Sequence, residues 1–296
     1  MDEHLEHRVR RLQFICRKPV NSLLAGGYLS VFKGRGIEFE EVREYQPGDD
    51  VRNIDWNVTA RTGHPYIKNY IEERELTLFL IMDVSASFIA GPAGEAKREA
   101  ATELASLLAY SAVQNNDRVG LIQFSSMVEQ YIPPAKGDAH VQFLMEEMLT
   151  CKPAQSDTDI AAALEFLERT TRKRCIVFLF SDFQTPGYRD AVQFLSRHHD
   201  LITVSVCDEH ENDLPDVGLV ALMDNETGRV RTVDTRGATV RKRFSGLAEE
   251  RLQHLAREFE DLDIDHLGVY THEDYVHDLV VFFEMRKHRG GHVAMG

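Results

Sequence analysis

Leu76-Thr77-Leu78-Phe79-Leu80-Ile81-Met82 passes without a break into Asp83-Val84-Ser85-Ala86-Ser87. A run apolar on both faces and closed by polar residues is the pattern of a strand buried inside a parallel sheet. Asp83 then stands at the strand's carboxyl end, the edge where open α/β sheets bind ligands. One carboxylate with hydroxyls two and four residues on offers hard oxygen donors of the kind Mg²⁺ takes.

Two further segments extend this edge. Thr158, within Ser156-Asp157-Thr158-Asp159-Ile160, opens a helical pattern, and Asp182 follows a second apolar run, Cys175-Ile176-Val177-Phe178-Leu179-Phe180-Ser181. Each has an ordinary use as well: Asp83 and Asp182 as turn formers, Thr158 as a helix N-cap with Asp159 favourable in the first turn. Taken in order, Asp83, Ser85, Ser87, Thr158 and Asp182 resemble the metal-ion-dependent adhesion site of von Willebrand factor A (vWA) domains. The resemblance implies that the Ser85, Ser87 and Thr158 hydroxyls bind Mg²⁺, with Mn²⁺ or Ca²⁺ as substitutes. Asp83 and Asp182 would bind it directly or through water, and a partner's carboxylate would complete the octahedron. The chain departs from the vWA pattern twice: Asp157 precedes the threonine where many members have glycine, and Ser181-Asp182-Phe183 replaces a Thr-Asp-Gly string. A vestigial, metal-free site is therefore the alternative.

Beyond residue 76 strand and helix alternate. The spacing predicts a helix over 94–115, strands over 118–124 and 128–132, and an end to the latter at Pro133-Pro134. Helices follow over 140–149 and 159–172, then the Cys175 strand, a helix over 188–198 and a strand over 201–206. A hairpin over 217–235 turns at Asn225-Glu226-Thr227-Gly228; a helix over 239–261, a strand over 265–269 and a helix over 273–287 complete the series. Such interleaving predicts an α/β fold: a doubly wound, mostly parallel sheet covered on both faces, of vWA or Rossmann-like type.

Residues 1–75 lack that rhythm. Alternation over 34–45 and the turn signal Gln46-Pro47-Gly48-Asp49 suggest a small β-rich extension, leaving 76–288 as the main domain and 289–296 as a tail. Arg43-Glu44-Tyr45-Gln46-Pro47-Gly48-Asp49-Asp50-Val51-Arg52-Asn53-Ile54-Asp55-Trp56-Asn57-Val58-Thr59-Ala60-Arg61 closely resembles the hallmark segment of the bacterial family called domain of unknown function 58. That family joins the segment to a vWA-like domain. Its members are often encoded beside MoxR-type ATPases of the AAA+ class. Trp56, the single tryptophan, is expected to be a hydrophobic anchor among ion pairs of Arg52, Asp55 and Arg61. Arg52, Trp56 and Arg61 are also the candidates for gripping a partner, since Trp and Arg are common interface hot spots.

Composition narrows the function classes. The 296 residues are 43% apolar, enough for a full α/β core with an appended unit, and carry a formal charge of −14. Residues 1–75 hold 12 basic against 13 acidic side chains, so nearly all the excess lies beyond them. That charge disfavours nucleic acid and anionic membrane surfaces. Four cysteines without metal-type spacing read as thiols of a reducing compartment, and the charged start and lack of a long apolar run predict a cytoplasmic protein. His4, His7, His198, His199, His266, His272 and His277 show no zinc spacing and read as surface or satisfied core residues. No Gly-x-Ser-x-Gly elbow or Walker loop occurs, and Ser85 stands where an aspartyl-phosphate phosphatase wants its second Asp. Beside these exclusions, the family resemblance implies a non-catalytic, Mg²⁺-dependent adaptor that works with a MoxR-type ATPase and a client protein in maturation or assembly. A metal-independent interaction module and a Mg²⁺-dependent phosphate-ester hydrolase are the alternatives.

Overall fold

The computed structural model describes residues 11, 20–33, 41–46, 49, 51, 54–69, 75–89, 91–154, 157–223 and 229–290. The chain begins with α1 (Val20–Tyr28), a π-helical turn (Leu29–Lys33), β1 (Glu41–Glu44), α2 (Trp56–Thr62) and β2 (Tyr66–Asn69). Next come β3 (Thr77–Asp83), α3 (Ala86–Ile89), α4 (Gly91–Gln114), β4 (Arg118–Phe124), β5 (Val128–Ala135), α5 (Asp138–Thr150), α6 (Ile160–Thr170) and β6 (Ile176–Ser181). The last part comprises α7 (Arg189–His198), β7 (Asp200–Cys207), α8 (Glu209–Asn212), β8 (Leu219–Met223), β9 (Val230–Asp234), α9 (Ala238–Asp261), β10 (Asp265–Tyr270) and α10 (Tyr275–Gly290). Arg52, Pro47 and Gly48, Ser156, the 225–228 turn, Cys16, His4, His7 and the chain beyond 290 lie outside the described residues.

Six strands form one sheet in the order β10-β7-β6-β3-β4-β5, parallel throughout except for β5, which runs antiparallel to β4. Alternation along the central strand divides its side chains between two cores. Leu78, Leu80 and Met82 pack with α1, α4, α5 and α10, while Phe79 and Ile81 pack with α6, α7 and α9. That double burial explains why the strand reads as a continuous apolar run. The fold is thus the doubly wound α/β architecture expected. From β3 the chain winds outward through β4 to β5, then returns to β3's other side for β6, β7 and β10. The topological switch point therefore lies between β3 and β6, at the carboxyl ends that carry Asp83 and Asp182.

Two expectations need correction. Pro133 and Pro134 lie inside β5 rather than ending it; β5 is an edge strand with a shifted register, where a missing N–H costs nothing to the ladder. Within residues 1–75, β1 and β2 pair as a small antiparallel sheet, but helix α1 belongs to the main core. Leu24 and Tyr28 are buried there, and a Cβ on Gly27 would approach Phe283 of α10 to 3.3 Å.

Candidate functional site

The site grows from the two strand ends flanking the switch point. Asp83, the last residue of β3, is buried, and each of its oxygens is claimed. Oδ1 accepts the Ser85 amide at 2.8 Å, and Oδ2 accepts the Ser181 hydroxyl at 2.7 Å. The Ser85 and Ser87 hydroxyls lie 3.1 Å apart. Ser87 belongs to α3, a single helical turn that runs almost directly into α4. At that junction a Cβ on Gly94 would meet the Ile89 carbonyl carbon at 2.2 Å, so only glycine permits the approach.

Asp182 follows β6. Its Oδ1 accepts the Gln184 amide at 3.2 Å. Phe183 has φ +52°, a left-handed conformation that glycine adopts more readily. A left-handed aromatic residue costs on the order of 1–2 kcal/mol. Burial of its ring against Tyr188 and Phe259, at centroid distances of 5.5 and 5.1 Å, offsets that cost, as does its amide bond to Ser181 Oγ at 3.2 Å.

Thr158 reaches the same edge by its backbone. Its carbonyl accepts the Thr185 hydroxyl at 3.2 Å from the loop after β6, and the next amide, of Asp159, donates to Ser125 O at 2.8 Å, just past β4. Asp159, and not Thr158, caps α6, with Oδ1 accepting the Ala162 amide at 2.9 Å.

Lys97 was not foreseen as part of this edge. It is fully buried in α4, and Nζ lies 3.0 Å from Ser87 O, 3.4 Å from Asp182 Oδ2 and 2.7 Å from Glu211 Oε1, with the Phe88 ring centroid 5.3 Å away. The sequence did hold a signal. Lys97, Ala101, Leu104 and Leu108 share one helical stripe, and the other three are core residues, so a lysine there must be buried with partners.

Burial, reinforced by the neighbouring charge of Asp182, raises the Asp83 carboxyl to about 7 despite the bonds from Ser181 and Ser85. Desolvation also raises Glu211, against the pull of Lys97. A buried carboxyl group whose ionisation its neighbour's charge opposes, beside paired hydroxyls, belongs to an oxygen donor set that fits a hard divalent cation. No cluster of three or more His, Cys, Asp or Glu side chains suited to a metal occurs among the described residues; half of this donor set is hydroxyl.

Other candidates are structural. His266 is half-buried, with Nδ1 3.0 Å from Thr203 Oγ1, Nε2 3.2 Å from Ser205 Oγ and its ring stacked on Phe259. At the sheet's opposite edge His199 Nδ1 accepts the Cys175 amide at 3.2 Å and lies 3.1 Å from its Sγ, while Nε2 faces Glu168 at 3.1 Å. Burial pushes that thiol up to about 12, so it stays protonated and unreactive. Trp56 is 69% exposed, which overturns its reading as a hydrophobic anchor. It opens α2, a helix with no buried residue, capped by Asp55 through the Asn57 and Val58 amides; Arg61 lies in its last turn.

The chain matches the family described as "Protein of unknown function DUF58" over residues 41–254. It is 32% identical over 289 residues to an uncharacterized protein of Mycobacterium tuberculosis, covering 97% of this chain and 91% of that one. With the uncharacterized protein YeaD of Bacillus subtilis it shares 30% identity over 107 residues, 36% of this chain and 25% of the other. Among solved structures it is similar to the conserved hypothetical protein BatB from Bacteroides thetaiotaomicron, at a TM-score of 0.44 and 13% identity, over 71% of this chain and 98% of that one.

Proposed function

This chain belongs to the DUF58 family, and on that footing we propose that it is a non-catalytic adaptor whose vWA-like strand edge binds a protein partner in a cation-dependent way. The observation that carries the reading is the pairing of Asp83 and Asp182 at the switch point, with Asp83 raised by burial and by its neighbour's charge. Ser85, Ser87 and Thr158 with the two carboxylates would hold Mg²⁺; once bound, the ion supplies an open coordination position that accepts a partner's carboxylate.

The chain's own residues prepare that edge. Ser181 and the Ser85 amide orient Asp83, and Gln184 orients Asp182, so the donors are fixed before any partner arrives. Nothing in this arrangement resembles a nucleophile with its base. The thiol beside His199 is protonated and buried. A MoxR-type AAA+ ATPase as partner and a role in protein maturation or assembly follow from the family resemblance, and a cytoplasmic setting follows from the cysteine pattern and the absence of a long apolar run in the sequence. Among the described residues no helix is long and apolar enough to cross a membrane. Exposed Trp56 and nearby Arg61 supply a second contact surface.

Affinity purification of the full chain from its native cells tests the adaptor role. A MoxR-type ATPase should be enriched with Mg²⁺ present and lost with chelator or with Ser85→Ala. Equal recovery under all three conditions would favour a metal-independent module.

A further inference from the structure

We propose that Lys97 is the resident counter-ion of this site, an ammonium group that competes with a divalent cation for the carboxylates and so sets the metal concentration at which the site loads. The inference rests on reading the strand edge as a cation site, and it assigns a role to a residue that lies outside the donor set.

Its basis is geometric. A lysine side chain buried without any exposed surface must satisfy three ammonium protons inside the protein. Three acceptors surround Nζ: Ser87 O at 3.0 Å, Asp182 Oδ2 at 3.4 Å and Glu211 Oε1 at 2.7 Å. The first belongs to the Asp-x-Ser-x-Ser turn and the second to a candidate metal ligand, so the ammonium group reaches into the site itself. Glu211, on α8, lies outside the donor set and holds the shortest of the three contacts. It draws Lys97 away from Asp182, whose contact is the longest. Two positive charges sharing Asp182 repel each other strongly where water is excluded. Metal loading thus favours the arrangement in which Glu211 keeps Lys97. Losing the lysine removes the competitor, and losing the Glu211 charge releases it toward Asp182.

The two changes therefore act in opposite directions, which no general loss of stability imitates. Mn²⁺ titrations of the full chain, followed by electron paramagnetic resonance of the free ion, would compare wild type, Lys97→Met and Glu211→Gln, each checked for folding by circular dichroism. Lys97→Met should bind Mn²⁺ about tenfold tighter or more, and Glu211→Gln about threefold weaker or more, as expected for losing one unit charge beside the ion. Unchanged or weaker binding by folded Lys97→Met, or unchanged or tighter binding by Glu211→Gln, overturns the assignment of Lys97 alone. If Lys97→Met fails to fold, the Glu211→Gln arm decides. Absence of Mn²⁺ binding in all three proteins overturns the cation site and this inference together.

Discussion

Single titratable residues around the sheet divide between those whose neighbours complete them and those left charged against one another. His266 is of the first kind. Burial lowers it to about 4, and two hydroxyls bracket the neutral ring. A histidine depressed in the folded state contributes stability that is present above its unfolded pKa, near 6.5, and is lost as pH falls toward 4. Wild-type protein should accordingly lose up to about 3 kcal/mol between pH 6.5 and 4 from this group. Urea unfolding of His266→Leu should show a flatter profile across that window, and an unchanged slope would remove His266 as the cause. Residue type at a strand end pointed to Asp83, Ser85 and Ser87, whereas Thr158 and Asp182 joined them through the resemblance to the vWA adhesion site. Lys97 was harder to see: a lysine is charged in any listing of residues, and only its place on the apolar stripe shows that it must be buried.

At the scale of elements, periodicity located the strands and the longer helices beyond residue 76 to within a few residues, since burial of one or both faces writes a period into the chain, but it gave no sign of the single-turn helices α3 and α8. It failed where another principle ruled. Pro133 and Pro134 sit in a strand because β5 is an edge. Helix α1, with Gly26 and Gly27 near its C-terminal end, gives a weak helical signal, yet Leu24 and Tyr28 place it in the core. The element with the clearest family signature, α2, is held by its Asp55 cap and not by burial of Trp56. Trp56→Ala should therefore change stability by no more than about 0.5 kcal/mol, as for other exposed positions. A thermal melt checks this, and a loss of 3 kcal/mol or more, the range for a buried aromatic, would restore the anchor reading. The same variant should lose at least ~2 kcal/mol of affinity if this surface is a partner hot spot.

For the whole molecule, the winding order explains why the candidate site lies where it does. Because β4 and β6 lie on opposite sides of β3, the loops after β3 and β6 part at the switch point, and carboxylates stand at the end of β3 and just past β6 there. That geometry was not legible from strand and helix alternation, which fixes the fold class but not which strands are neighbours. The most direct measurement is a calorimetric titration of Mg²⁺ into the full chain and into Asp83→Asn, with melting of both in chelator. One saturable site in the wild type should vanish in the variant. Asp83→Asn should melt no lower than wild type in chelator, because a neutral amide is not opposed by Asp182. A wild type with no saturable heat at millimolar Mg²⁺, or a variant that binds as wild type does, would contradict the account.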